Sequence, residues 1–397
     1  MLKVLAIVPS GQVFGLQIMT LRFFQRLSGT IFTHFLVTRW SDGKFAERLG
    51  ELSIPYTYSW LGMFSRNLDW VNLRMTLHCL SKLPILYWDF ARLIKSYRPD
   101  VIYTANYHEL ILLWPVLSLL HRPVVCHVHN PLPTDRFYRS TFLFWGSVVS
   151  KYIGVSQSVV SSITNLGVEA ARVSVIYNGI DLSRFVYVDK RSSEFIAKYR
   201  WPDQSVIVGM TGQMTDAKGH LDFLQAARSV NKNYPEVRFI IGGKQEGPYF
   251  ELLQKQLSAE KLGEVVGFSG WQDDMRSFYE GIDVFVLPSR QEAEGLPLVI
   301  AEAMGAGLPV VATRSGGAVE IVDNGKTGFL VDRQNPEQLA EAISVLVTSS
   351  SRRVSMGKAG RQRVEQFFDL SKQATQLEAI LENVAKLRSS YCLAVTE

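Results

Sequence analysis

Two glutamates eight residues apart, Glu294 and Glu302, stand in residues 288–309 (PSRQEAEGLPLVIAEAMGAGLP), between an apolar run and a glycine–proline stop. Residues 283–287 read as a buried strand. Pro297 suits the first helical position, where no N–H is needed, and Gly307 with Pro309 ends the helix. The segment is therefore strand, loop, helix, with Glu294 just ahead of the helix and Glu302 in its second turn. A helix start offers unpaired N–H groups and a partial positive charge, which suits a phosphate. Carboxylates on either side could accept hydrogen bonds from the hydroxyls of a ribose and of a sugar. The same glutamates would serve equally as caps and solvated surface, and spacing alone does not separate the two uses.

A second candidate lies in residues 206–220 (VIVGMTGQMTDAKGH), where a strand again gives way to a short loop, here Gly212 and Gln213, and then to a helix over 221–230. Lys218 at that helix start opposes the local dipole, a penalty that a bound anion would reverse. A solvated lysine is the plainer alternative. The third candidate is His129, at the end of the apolar run 124–128 (VVCHV). Of His127 and His129, one is expected to point into the sheet layer and the other to reach a crevice, although strand-end histidines often only pack.

Other chemistries find no support. There is no metal-ligand spacing, and Asp273 with Asp274 lacks the D-x-D pattern of metal-dependent sugar transferases. The nucleophile elbow G-x-S-x-G and the P-loop are missing, and the loop from Gly11 to Gly15 does not match G-x-G-x-x-G. The three cysteines, Cys79, Cys126 and Cys392, are too few and too scattered for a disulfide framework or thiolate zinc site, which suggests a reducing compartment. The longest apolar run, residues 110–120, is shorter than the ~20 residues a membrane span requires. Residues 1–9 read better as a first buried strand than as a signal peptide, so a cytosolic chain is expected.

These residues need a scaffold, and 397 residues with 47% apolar and 20% charged composition can supply two domains. Apolar runs alternate with amphipathic stretches throughout. Strands are expected at 3–8, 32–38, 101–104, 124–127 and 152–155, and in a second set at 206–211, 237–241, 265–268, 283–287 and 309–312. The polar stretch 186–204 reads as a linker. The chain closes with one helical stripe of Leu370, Ala374, Leu377, Leu381, Val384 and Leu387, expected to pack back on the first domain. The fold class is thus α/β with parallel sheets, and such sheets bind ligands at the carboxyl ends of their strands. Charge is uneven: residues 1–190 hold 19 Lys+Arg against 11 Asp+Glu, the remainder 23 against 26. A basic half suits an acidic partner such as nucleic acid, anionic lipid or a charged glycan, or simply solubility.

Taken together, these residues resemble the retaining GT-B glycosyltransferases of family 4 (glycosyl transferases group 1). The likeness runs in order through residues 154–158, 173–181 with Arg184 and Phe185, the Lys218–Gly219 loop, residues 241–243, 268–270 and 283–289, Glu294 with Glu302, residues 316–320 and residues 328–331. It covers about residues 150–370. It implies two Rossmann-like domains facing a central cleft, residues 1–185 with the helix 371–390 for the acceptor and 186–370 for the donor. It also implies a metal-independent hexosyltransferase that needs no cofactor beyond its nucleotide-sugar co-substrate. In that scheme Lys218 holds the donor diphosphate beside Gly212 and Gln213, and the amides of Leu298 and Val299 meet the phosphate. Glu302 accepts from the ribose, and Glu294 with the Gly295 and Leu296 amides holds the transferred sugar. His129 faces that sugar, and Gly15 lets the first loop approach the diphosphate. There are two departures. Gln213 stands where the family usually has arginine, leaving Arg290 or Arg314 to compensate. The run from Glu294 to Pro297 replaces the usual E-G-F-G, so a backbone donor is lost at Pro297.

The resemblance implies a glycan acceptor and no nucleic acid. Residues 55–98 hold Tyr56, Tyr58, Trp60, Phe64, Trp70, Tyr87, Trp88, Phe90 and Tyr97 among scattered basic residues. Such a mixture suits an interface near anionic lipid, sugar stacking, or plain packing. A lipid-linked glycan acceptor and a place on the inner face of the cell membrane are therefore expected. A nucleotide-sugar epimerase or a non-catalytic nucleotide-sugar binder would share the architecture.

Overall fold

The computed structural model describes all residues except 9–14, 41–42, 63–69, 121, 134, 186–193, 273, 292–294 and 395–397. Two units emerge, Met1–Asn178 with Leu370–Glu397, and Gly179–Asp369. The division precedes residue 185 because residues 179–185 bind into the second unit. The Ile180 N–H donates to the Phe368 carbonyl at 2.8 Å, and the Phe185 ring packs on Tyr279.

The first unit holds seven strands: β1 (Leu2–Val8), β2 (Ile31–Thr38), β3 (Tyr56–Ser59), β4 (Val101–Thr104), β5 (Val124–Val128), β6 (Lys151–Gly154) and β7 (Val173–Val175). All pair in parallel, in the order β3-β2-β1-β4-β5-β6-β7. Parallel neighbours need crossover connections, and helices on the sheet faces make its strands apolar along their whole length. Val101–Thr104 and Val124–Val128 are accordingly buried at every residue. The second unit repeats the plan with β8 (Ile207–Thr211), β9 (Arg238–Gly242), β10 (Val266–Gly270), β11 (Val284–Leu287), β12 (Val310–Thr313) and β13 (Gly328–Val331), ordered β10-β9-β8-β11-β12-β13. Its pairs are parallel as well.

The ten expected strands are all present, within two residues at each end. Strands β3, β7 and β13 go beyond the ten expected. The linker expectation fails over its second half. Helix Glu194–Tyr199 packs into the second unit, burying Phe195, Ile196 and Trp201, and the Trp201 indole donates to the Glu264 carbonyl at 3.1 Å. The run 110–120 belongs to helix His108–Leu120. Residues 70–97 form one helix, Trp70–Tyr97, whose internal Pro84 masks its period.

The C-terminal helix Leu370–Ala394 lies within the first unit, as expected, with Leu370, Ala374, Leu377, Leu381 and Val384 buried. Each large side chain so buried contributes about 1.5–3 kcal/mol. Polar contacts set its register: Arg26 donates to Ser371 Oγ and the Ser28 N–H to Glu378 Oε2, both at 3.1 Å. The side chain of Leu387 lies outside the described residues.

One acidic residue breaks the apolar pattern of the first core. Glu109, in the first turn of His108–Leu120, is 1% exposed. Burial pushes its carboxyl up to about 8, against the opposing pull of backbone N–H groups at Glu109 and Asn106. The folded chain thus keeps a proton that the unfolded chain loses near pH 4.5, so stability falls as pH rises from there towards 8. Glu109→Gln should remove this slope. Measured by urea unfolding, the variant should gain about 3 kcal/mol on the parent between pH 5.5 and pH 8; parallel pH profiles would show that Glu109 does not hold its proton.

Candidate active site

In the second sheet the strand order reverses between β8 and β11, neighbours in space but three strands apart in sequence. Their connections leave in opposite directions and open a crevice at the carboxyl ends. Both of the loops singled out above emerge there.

After β8 the chain runs through Gly212 and Gln213 into a single 3-10 turn, Asp216–Lys218, and helix His220–Asn233 begins beyond Gly219. Lys218 therefore precedes the helix proper instead of occupying its first turn. A side chain at Gly212 would press on the Lys218 stem, 3.4 Å from its Cγ, so glycine lets the lysine lie back across the loop. Gly219 has φ +72, and an added Cβ would fall 1.8 Å from the Pro288 carbonyl oxygen. Only glycine permits both that conformation and that approach.

The approach is clamped. Arg290 donates twice to Asp222, at 2.9 and 2.6 Å, and once to Asp216 at 2.6 Å. The Arg290 N–H and Ser289 hydroxyl both donate to the Ala217 carbonyl, next to Lys218. Paired with two carboxylates, Arg290 has its guanidinium pKa raised further, chiefly by the Asp222 bonds. Three of its five N–H donors are thus committed to this loop, while Gln213 is exposed. Arg314 lies about 3.7 Å from Asp332 at the surface and lines a cavity of about 510 Å³ with Arg290 and Arg333.

After β11, helix Leu298–Gly305 starts one residue later than expected, with Pro297 as its cap residue, and no side chain among the described residues caps it. Its first turn holds no acid, so the amide end at Leu298 and Val299 keeps its positive character. The Gly295 carbonyl accepts from the Gly317 N–H at 2.8 Å, and a Cβ on Gly317 would strike that carbonyl. The two glycines thus fix the peptide leading to the buried Leu296.

Glu302 sits in the second turn, with its Oε2 3.1 Å from the Tyr279 hydroxyl. That hydroxyl is also 3.3 Å from the Val299 carbonyl. Tyr279 is 1% exposed, and burial, reinforced by Glu302, raises its pKa well above the usual range. It stays protonated and donates. Sequence reasoning missed Tyr279, which lies in helix Met275–Glu280 and carries no motif; only its burial beside a carboxylate marks it. Glu294 lies outside the described residues. Asp274 caps helix Met275–Glu280 and pairs with Arg276 and Arg184, and Asp273 lies outside the described residues. Among the described residues no cluster of His, Cys, Asp and Glu could hold a metal.

In the first unit, His129 follows β5. The expectation that His127 and His129 diverge is wrong: two residues apart on a strand they share a face, and their ring centroids lie 4.5 Å apart. Depth separates them. His127 is fully buried and its Nδ1 is 2.6 Å from the Tyr103 hydroxyl, whereas His129 is 9% exposed; Nε2 of each has no hydrogen-bond partner among the described residues. Burial lowers the His129 pKa to about 4, leaving it uncharged at neutral pH. Gly15 opens helix Gly15–Gln25, and a Cβ there would meet open space. Nothing within the described protein demands glycine at that position.

Two family models match, the Glycosyltransferase Family 4 model over residues 15–184 and the Glycosyl transferases group 1 model over residues 191–363. The chain is 31% identical over 220 residues to the D-inositol 3-phosphate glycosyltransferase of Corynebacterium urealyticum, covering 52% of this chain and 51% of that protein. It is 32% identical over 202 residues to a GDP-mannose-dependent alpha-(1-6)-phosphatidylinositol monomannoside mannosyltransferase of Mycobacterium tuberculosis, covering 49% and 52%. The matched region thus spans about half the length of these curated relatives. The fold is similar to that of HepE of Anabaena, solved with UDP, with a TM-score of 0.80 and 22% identity over 96% of this chain and 100% of that one. The two models abut, along the chain, almost where the two parallel sheets divide it, and the chain belongs to the family 4 glycosyltransferases of the GT-B type.

Proposed function

We propose that this chain is a retaining hexosyltransferase that moves a sugar from a UDP- or GDP-sugar to a lipid-linked glycan, in cell-surface polysaccharide or glycolipid synthesis. The proposal places it in the cytoplasm, against the inner face of the cell membrane. The observation that carries it is the meeting, at the β8/β11 reversal, of the Lys218 loop with an uncapped helix start and a tyrosine-held Glu302. The relatives point to both donor bases: one is named for GDP-mannose, and HepE was solved with UDP.

Breaking the anomeric bond builds positive charge on the sugar and negative charge on the departing diphosphate. Lys218 and the Leu298 and Val299 amides stabilise the second charge as it grows, and preorganised donors of this kind usually supply the largest catalytic contribution. The proposed reaction routes no charge through a metal. Glu302 accepts from the ribose hydroxyls, with Tyr279 as a positioning residue. Glu294, Gly295 and Leu296 hold the transferred sugar, while Gly212 and Gln213 shape the loop beside Lys218. His129, being neutral, is assigned a hydrogen bond to that sugar and no charge role, and Gly15 gives the donor close access to the first loop. The acceptor hydroxyl attacks from the leaving-group side through an ion pair, which preserves anomeric configuration. Trapping a covalent glycosyl-enzyme would contradict this step.

The test is turnover of radiolabelled UDP- and GDP-sugars with and without a lipid-linked acceptor. Transfer that requires acceptor supports the reading; conversion of donor alone would make the protein an epimerase, and donor binding without turnover a binder. Lys218→Ala should lower kcat about 10²–10³-fold with unfolding unchanged, and near-normal turnover would remove its assignment. Tyr279→Phe should raise the donor KM roughly tenfold with a smaller change in kcat, as expected for losing one hydrogen bond to a charged group. An unchanged KM would mean that Glu302 needs no such support.

A further inference from the structure

Helix Trp70–Tyr97 turns one face to the core, burying Cys79, Leu86, Phe90 and Leu93. At ~100° per residue, the opposite side of the helix carries six apolar side chains spread over about 140°. They are Trp70 (78% exposed), Leu73 (37%), Leu77 (59%), Leu80 (44%), Ile85 (44%) and Trp88 (72%). A row of large apolar groups facing water over residues 70–88 is unusual for a protein surface unless something covers it.

The charges on this helix narrow the choice of partner. Arg74, Arg92 and Lys95 are exposed and lie within about 40° of the line joining Trp70 to Trp88. Lys82 flanks the row, 5.1 Å over the Trp60 ring. The single carboxylate of the helix, Asp89, accepts from Ser59 Oγ at 3.1 Å. At the end of the row, Lys95, Arg98 and Arg122 line a cavity of about 490 Å³ together with Ile94, Leu120 and Asp100. Asp100 Oδ2 is engaged by the Lys3 backbone N–H at 2.9 Å. This cavity precedes β4 and β5 in the chain, so it lies at the amino ends of those strands, away from His129.

We infer that this face docks on an anionic lipid bilayer, with Trp70, Leu77 and Trp88 entering the interface and one lipid phosphate seated among Lys95, Arg98 and Arg122. Tryptophan and leucine interleaved with arginine and lysine on one helical face match the layered polarity of a headgroup boundary. A second copy of the chain would bring the same cations with no free counter-charge on the helix, because its single carboxylate, Asp89, is engaged by Ser59. No helix among the described residues is long and apolar enough to cross a membrane, so the contact is with its surface.

The inference deepens the membrane placement proposed above, and its test does not depend on turnover. The purified full chain is floated with phosphatidylglycerol–phosphatidylcholine vesicles and with pure phosphatidylcholine vesicles. Binding should be at least tenfold tighter to the anionic vesicles and should weaken with salt. Leu77→Gln with Trp88→Ser should cost at least tenfold. Lys95→Gln with Arg122→Gln should cost roughly fivefold per cation. All four side chains lie at the surface or on the cavity rim, and unchanged thermal unfolding would confirm that each variant folds. Transfer to a soluble acceptor should persist in the vesicle-deficient variants. Equal binding to neutral vesicles, or undiminished binding by the apolar pair, would overturn the inference. So would a self-association that the apolar pair dissolves while vesicle binding stays unchanged.

Discussion

The contact between Gly219 and the Pro288 carbonyl governs the second unit's site. It is a backbone-to-backbone approach that no side chain can share, and it locks the loop after β8 against the loop after β11. Arg290 reinforces it by spanning Asp216 and Asp222, one on each side of Gly219. Its partner Asp222 is 5% exposed, which makes the pair costly to break because an orphaned buried carboxylate would remain. Lys218 lies inside this clamp. A lysine so placed loses less freedom on meeting an anion than one on an open surface, and the loss of freedom is what binding must overcome.

Two features of this crevice differ in physical source. The lysine supplies a full charge, whereas the start of Leu298–Gly305 supplies oriented amides with no side-chain cap among the described residues. Tyr279 adds a third element by holding Glu302 from within the core. Because burial raises the phenol's pKa, the hydroxyl remains a donor, and the carboxylate stays aimed without a cation beside it.

The first unit uses burial differently. Its sheet also reverses order, between β1 and β4, and the residues after those strands and after β5 are His129, Glu109 and Gly15. Desolvation pushes the histidine towards its neutral form and the carboxyl towards its neutral form as well. Both groups are thereby available as neutral hydrogen-bonding partners in a region poor in charge. The helix that connects β3 to β4 carries the opposite character, with its charge and apolar surface on the outside.

The linear order of residues determined the alternation of strands and helices, the two-unit plan, the stripe of the C-terminal helix and the candidates Lys218, Glu302 and His129. Each rests on a local period, a helix stop or a run of ordered motifs, all of which are properties of neighbours along the chain. Tertiary structure alone decided that Arg290 bonds to Asp216 and Asp222, that Tyr279 supports Glu302, that His127 lies deeper than His129, and that Glu109 is buried. These depend on residues 20 to 75 positions apart meeting in space, and no periodicity encodes such a meeting. Residues 55–98 show the boundary well. Their composition announced aromatics among cations, but packing put Phe90 in the core and Trp70 and Trp88 in solvent. The helix phase that separates them is set by what the rest of the unit offers to bury.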